Sequence, residues 1–432
     1  MTDSTPPEKP GPTGGGRLAW TQVVLASVLM LATLPGRTQG LALVTEPLLA
    51  DLRLDRLTYA HLNLVATLIG ALFCLPTGWA IDRFGLRGTT TAVVLTLGLS
   101  VTMLGGITVG LVPLFLLLLA SRALGQSALS VCSITTVARW FPGRAGFAMG
   151  VYSVLLSVWF AAAFGVIGWS VRAHGWRAAW LQMAFVLVLV ITPAVALIHR
   201  EPRSGRGRAG SPADGVAGED REVSGLVPGE GGIGLTLPEA LRTGAFWLFA
   251  GGAAAFNLVA SGLGLFNEAV LAERGFSQRT FHGFLAASAL LSLGGQFLGG
   301  WLTRRWRHQA ILSVALLLYA AGLAGLAMTR QWWQLAGVAM LLGVAGGMIM
   351  VIFFAVWGDL FGQRQLGRIQ GAAQMVTVVS SALGPVVFAA GVARSGSYAP
   401  VLLVLAGVGL LLAAAAPFVR RPPGACPVGS SG

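Results

Sequence analysis

The sequence predicts an all-α membrane protein, with twelve transmembrane helices in two pseudo-symmetric six-helix bundles. Three observations carry this expectation. Hydrophobic residues make up 55% of the 432 residues and charged residues only 10%. A soluble domain carries about 25% charge, so most of this surface must face lipid rather than water. Apolar runs of roughly 20 residues, the length that crosses a bilayer, follow one another along the chain. Finally, the second half copies the first. Leu49-Ala50-Asp51 recurs as Leu271-Ala272-Glu273, Thr58-Tyr59 as Thr280-Phe281, Gly78-Trp79 as Gly300-Trp301 and Glu46 as Glu268, all at an offset of 222 residues. Phe141-x-x-Arg144 returns as Phe361-x-x-Arg364 at 220. One offset shared by separate segments marks two parallel repeats.

In chain order, residues 1–17 are polar and rich in Pro and Gly, and read as a disordered tail. They are not a cleavable signal, because the apolar run that follows is long enough to span. The first bundle, 18–199, holds spans at 18–48, 59–81, 89–111, 113–138, 145–170 and 177–199. Residues 200–243 are dominated by Gly, Pro and charge, the composition of a flexible cytoplasmic linker. The second bundle, 244–419, holds spans at 244–271, 281–303, 309–329, 332–357, 366–392 and 398–419, and 420–432 is a short tail. Arginines are denser in the loops that share a side with both termini. That bias predicts cytoplasmic termini and a multi-pass protein of a bacterial inner membrane.

The formal charge of +13 does not point to nucleic acid, because the basic residues sit in short loops between spans and form no stripe. Cys74, Cys132 and Cys426 have no metal-ligand or disulfide spacing, and no cofactor motif is present. The five histidines form no H-x-x-x-H pair, and no nucleophile and base share a membrane depth. An enzyme is therefore not expected. The expected partners are a small-molecule substrate, protons as a candidate coupling ion, and the bilayer, with the chain acting as a monomer.

The most specific motif joins the second and third spans: Gly78-Trp79-Ala80-Ile81-Asp82-Arg83-Phe84-Gly85-Leu86-Arg87-Gly88. It resembles the G-x-x-x-D-R-x-G-x-R loop of the major facilitator superfamily of secondary transporters. The resemblance implies a conformational latch on the inner side, made of Gly78, Asp82, Arg83, Gly85 and Arg87 with Arg139 of the next inner loop. Asp82 is expected to pair with nearby arginines and with a helix N-terminus of the opposite half. The second copy is degraded, with Arg304 standing where Asp82 stands in the first.

Charged residues inside spans are costly, so they mark cavities or partners. Arg122 lies within the fourth span, where the family resemblance implies an arginine followed by glycine that serves substrate or proton coupling. Arg37 lies near the middle of the first span beside Pro35 and Gly36, which loosen the helix. Glu46 is roughly 13 Å further outward along a helix, so no carboxylate is expected at the depth of Arg37. Two cations without an acid call for an anion, held bidentately by a guanidinium. Gln39, Tyr152, Asn257, Gln296 and Gln374 are the neutral candidates to complete a substrate site. Glu46 and Glu268, related by the repeat, are expected to form an outer gate.

Trp140-Phe141-Pro142-Gly143-Arg144-Ala145-Gly146-Phe147-Ala148-Met149-Gly150 resembles a stretch of the monocarboxylate and oxalate/formate branch of the superfamily. That likeness points to a monocarboxylate, with symport, antiport and facilitated flow all open as the mode of transport. The eighth span lacks the acid and arginine of that branch and offers only Gln296, so its mechanism does not transfer. The alternative expectation is a proton-coupled exporter of a neutral or cationic solute, with Arg37 satisfied by helix carbonyls.

Overall fold

The computed structural model describes residues 15–107, 110–142, 145–201 and 234–419. The tails and most of the expected linker lie outside the described residues. The first half runs α1 (Gly15–Leu31), α2 (Thr38–Ala42), α3 (Thr45–Leu52), α4 (Arg56–Ala71), α5 (Cys74–Phe84), α6 (Leu86–Gly105), α7 (Leu111–Ser121), α8 (Ser130–Trp140), α9 (Ala145–Phe185) and α10 (Thr192–Ile198). After a short α11 (Leu237–Leu241), the second half runs α12 (Gly244–Glu273), α13 (Gln278–Leu302), α14 (His308–Met328), α15 (Trp332–Phe361), α16 (Leu366–Ser395) and α17 (Ala399–Ala415). Ten described segments are long and apolar enough to cross a membrane. One of them, Ala145–Ile198, is two spans joined at Gly175, whose φ of 82° makes the turn. With α13 this gives the twelve expected crossings.

The helices break where the sequence weakens them. The first span ends at Leu31 and tightens into a 3-10 turn over Leu34–Gly36, because Pro35 has no N–H to continue the ladder. Arg37 follows in extended backbone, with φ −98° and ψ 152°. The second span divides between α4 and α5. There Pro76 cannot donate to the Leu72 carbonyl, and the chain closes instead through Leu75 N to Leu72 O at 3.2 Å. The fourth span widens into a π-helical stretch, Arg122–Leu129, a rare form that is frequent at functional sites.

The halves meet along two seams, α5 against α16 and α9 against α13, which the repeat relates to each other. Both are nearly backbone on backbone. A Cβ added to Gly78 would lie 2.3 Å from the Gly367 carbonyl oxygen, and one on Gly300 would lie 3.1 Å from the Gly146 carbonyl oxygen. Small residues allow this approach, as they do in other membrane helix pairs.

The end of the expected linker is ordered rather than loose. Thr236 and Glu239 form a capping box on α11, Leu235 N donates to Phe361 O at 2.9 Å, and Leu237 N donates to Gln365 Oε1 at 2.8 Å. At its other end, Glu201 Oε1 accepts from Leu86 N at 2.8 Å, over Gly85. Gly85 is held at φ 86°, and a Cβ there would fall 2.0 Å from that oxygen, so only glycine fits.

Candidate functional site

Two arginines of the first half line adjoining spaces at the centre of the molecule, Arg37 the central chamber and Arg122 the crevice beside it. The extended backbone at residue 37 turns the Arg37 guanidinium inward. Its Nε donates to Thr33 Oγ1 at 2.5 Å, and its Nη2 donates to Ser130 Oγ at 3.0 Å and to Met30 Sδ at 2.9 Å. Phe160 lies 5.9 Å from the guanidinium carbon. Arg122 is only 3% exposed. Its Nη1 donates to Gly36 O at 3.2 Å, Thr38 Oγ1 at 3.0 Å and Gln126 Oε1 at 2.8 Å. Its Nη2 donates to Asn63 Oδ1 at 3.0 Å, and its Nε has no partner among the described residues. Gly36 and Gly125 make this possible, because a Cβ on Gly36 would fall 2.0 Å from Ser121 O. Every acceptor on both arginines is neutral.

The cavity has a narrow deep part of about 70 Å³, walled by Arg37, Leu156, Phe353 and Gln374 among others. It widens to about 400 Å³ beside Arg37, Gln39, Asn257, Ser261 and Gln374. A crevice of about 810 Å³ continues between α4, α12 and α16, past Arg122. No aspartate or glutamate is among the described residues that line these three spaces. The first half thus supplies the cations and the second half supplies amides and hydroxyls.

Of the neutral residues expected here, Gln39, Asn257 and Gln374 face the cavity. Tyr152 is fully buried beside it, its hydroxyl 2.8 Å from Ser133 Oγ and its ring edge-on to Phe354. Gln296 is buried where α13 packs on α15, and its main-chain nitrogen would lie 2.7 Å from a Cβ on Gly347. Glu46 and Glu268 sit on α3 and α12, and their side chains fall outside the described part. Thr38, Asn63 and Gln126, which sequence reasoning missed, hold Arg122. Gln126 lies four residues after it, on the same helix face, a spacing that was visible in the sequence.

At the end of the molecule remote from the cavity mouth, Asp82 joins the halves. It accepts from Arg139 Nη2 at 2.9 Å, from Gly367 N at 3.1 Å and from Arg368 N at 3.0 Å. The last two are free amides at the N-terminus of α16, where a carboxylate is favoured. Arg83 instead stacks over Trp79 at 5.3 Å and Phe84 at 5.7 Å, and neither it nor Arg87 forms an ion pair among the described residues. The repeat-related Arg304 lies over the Phe147 ring at 3.9 Å. Thr135 Oγ1 adds a bond between halves to Gln370 Oε1, at 2.9 Å.

At the opposite end each bundle closes on itself. Asp51 accepts from Trp176 Nε1 at 3.1 Å and from Arg177 Nε at 3.0 Å. Its repeat mate Glu273 accepts from Ser397 Oγ and from Tyr398 N, the latter at 2.9 Å, and faces Arg274 at 3.4 Å. Burial alone would raise the Glu273 carboxyl, but the bonds from Ser397 and Tyr398, with Arg274, hold it below the usual carboxylate range.

Two halves of six helices around a central cavity define a membrane transporter fold. The family model of the Major Facilitator Superfamily matches residues 25–332 and 263–430, so the chain belongs to that family. The Escherichia coli fucose:proton symporter FucP, in its N162A form, superposes with a TM-score of 0.67 at 14% identity, over 93% of this chain and 98% of that one. A second FucP structure, described as the outward conformation, gives 0.65 at 14% identity over 93% and 100%. The human organic anion transporter MFSD10 (TETRAN) gives 0.65 at 18% identity over 94% and 100%. At these identities the likeness is one of fold. No curated protein sequence matches the chain.

Proposed function

We propose that this chain is a secondary transporter of an organic anion, with a monocarboxylate as the simplest case, working by alternating access. The supporting observation is Arg37 on the central chamber and Arg122 on the adjoining crevice, two spaces whose described walls carry no carboxylate. A guanidinium in a partly dehydrated chamber gains most from an anion that can accept two parallel N–H bonds. Arg37 borders both the deep and the wide chamber and is the primary ligand. Arg122, locked by four neutral acceptors, adds field and holds the break in the first span. Gln39, Asn257 and Gln374 orient the rest of the solute. The organic anion transporter MFSD10 shares the fold, and in this chain the arginines are what would hold an anion.

Asp82, with Arg139 and the α16 N-terminus, acts as the latch that holds one end shut while the cavity opens at the other. With both termini in the cytoplasm, this is the outward-facing member of the cycle. Release of the latch lets one bundle rock against the other. The test is uptake of radiolabelled carboxylates into proteoliposomes. Saturable uptake lost in Arg37→Gln, and restored only weakly in Arg37→Lys, supports the reading. Wild-type protein that moves only neutral or cationic solutes, undiminished in Arg37→Gln, would establish the proton-coupled exporter instead.

A further inference from the structure

The side crevice is too large and too apolar on its outer wall for a two- or three-carbon acid. It measures about 810 Å³, within the range of roughly 300–1,000 Å³ that holds drug-sized ligands. Its outer wall is Leu265, Phe266, Val386 and Ala389, and its inner end is Arg122 with Asn63 and Gln126. The crevice shares Thr38, Gln126, Ser261 and Pro385 with the chamber that contains Arg37. The two spaces therefore adjoin, with Arg37 and Arg122 near their shared wall and mostly apolar side chains, with His61, lining the rest of the crevice. Arg122, 3% exposed with its Nε unpartnered among the described residues, stands at the junction.

We infer that the crevice between α4, α12 and α16 receives the apolar body of an amphipathic organic monoanion, whose carboxylate lies against Arg37. This inference rests on the anion reading above and narrows it: the preferred substrate carries a medium alkyl chain or an aromatic ring, not a short acid. Chain length sets the affinity, because each methylene that leaves water for the crevice contributes, and the head group sets position. Leu265 and Val386, which line the crevice, are 66% and 47% exposed, so it also opens sideways between the helices.

The experiment measures binding to the full chain in lipid nanodiscs by isothermal titration. The probes are acetate, butyrate, hexanoate, octanoate and 4-phenylbutyrate, with octanamide as the neutral control. Affinity is expected to rise about two- to fourfold per methylene before levelling off, following the transfer cost of a CH₂. Octanamide is expected to bind at least tenfold more weakly than octanoate. Ala389→Trp, which fills the crevice from an exposed position, should weaken octanoate about tenfold and leave butyrate unchanged. Val386→Trp is the second variant if the first does not fold. Butyrate binding with no gain along the series overturns this inference alone, and absence of all carboxylate binding overturns the anion reading with it. A gain shared equally by octanamide, or untouched by both tryptophan variants, means that bilayer acyl chains fill the crevice, and the inference fails.

Discussion

The two halves descend from one repeat, yet they solve the same corners with different chemistry. At the closed end the first half presents Asp82, which accepts from a facing helix N-terminus and from Arg139. At the matching position the second half presents Arg304, which a helix N-terminus would repel, and it rests on the Phe147 ring. The position of Arg139 is likewise inverted: its mate is Asp359, buried 3.3 Å from His308. Around the cavity the asymmetry repeats, with arginines on the first wall and Asn257 and Gln374 on the second. At the open end the halves agree, with Asp51 and Glu273 each tying the end of a helix to the start of the last span of its bundle. The repeat kept its geometry where it closes each bundle. It diverged where the halves face each other or the solute.

The largest effect that would break this comparison is on the cationic wall. Arg37→Gln is expected to lower anion affinity by about 10²–10³-fold, the loss of a charged pair in a partly dry site. Gln374→Ala, on the neutral wall, should cost about fivefold, the scale of one neutral hydrogen bond. Equal losses in the two would mean that both walls share the solute evenly.

Arg122→Gln tests whether that residue serves structure more than binding. It strands Asn63 Oδ1 and the Gly36 carbonyl, so a loss of about 3 kcal/mol is expected, read as a lower unfolding temperature in detergent. Arg37→Gln strands only two hydroxyls and a thioether and should move that temperature far less.

At the closed end, Asp82→Asn removes charge-assisted bonds worth about 1–3 kcal/mol. Transport should slow at equal expression, and the native Cys74, buried in the seam opposite Gly371, should become more reactive to thiol reagents. Arg304→Gln, which loses only a cation–π contact of about 1 kcal/mol, should change both readouts less. A larger effect at Arg304 would reverse the assignment of the latch.

The smallest effect is at the open end. The Glu273 carboxyl is held low by Ser397, Tyr398 and Arg274, so it stays charged in the folded protein where it would protonate in the unfolded chain. Its stabilisation is present above the ordinary carboxylate pKa and is lost as pH falls through the lower, folded value. A thermal-unfolding series from pH 6 to pH 3 should therefore show a slightly shallower decline for Glu273→Gln than for the wild type.

The crossings were legible because hydrophobic length and the 222-residue repeat are sequence properties. Pro35 and Gly36 also announced the break in the first span. Pro76 likewise stood at the division of the second span, although its place inside a long apolar run left the run reading as one helix, whereas no residue pattern announced the π stretch after Ser121. Arg37 and Arg122 could be chosen as charges within apolar runs. Of the neutral partners only Gln126 could be, by its spacing, since Thr38 and Asn63 meet Arg122 through tertiary contact. Tyr152 looked like a cavity residue by its depth, but depth does not say which side of a helix a residue occupies.

The glycine seams have a mechanical consequence. Where Gly78 meets Gly367 and Gly150 meets Gly300, the bundles touch mainly through main chain, with Thr303 against Gly146 among the few side chains set into the seam. A meshed seam must withdraw each side chain and flip rotamers before it opens. A smooth one behaves as a bearing, along which one bundle rolls with little friction. Resistance to rolling is then concentrated in a few polar clasps at one end, where single substitutions can set the speed of the whole cycle.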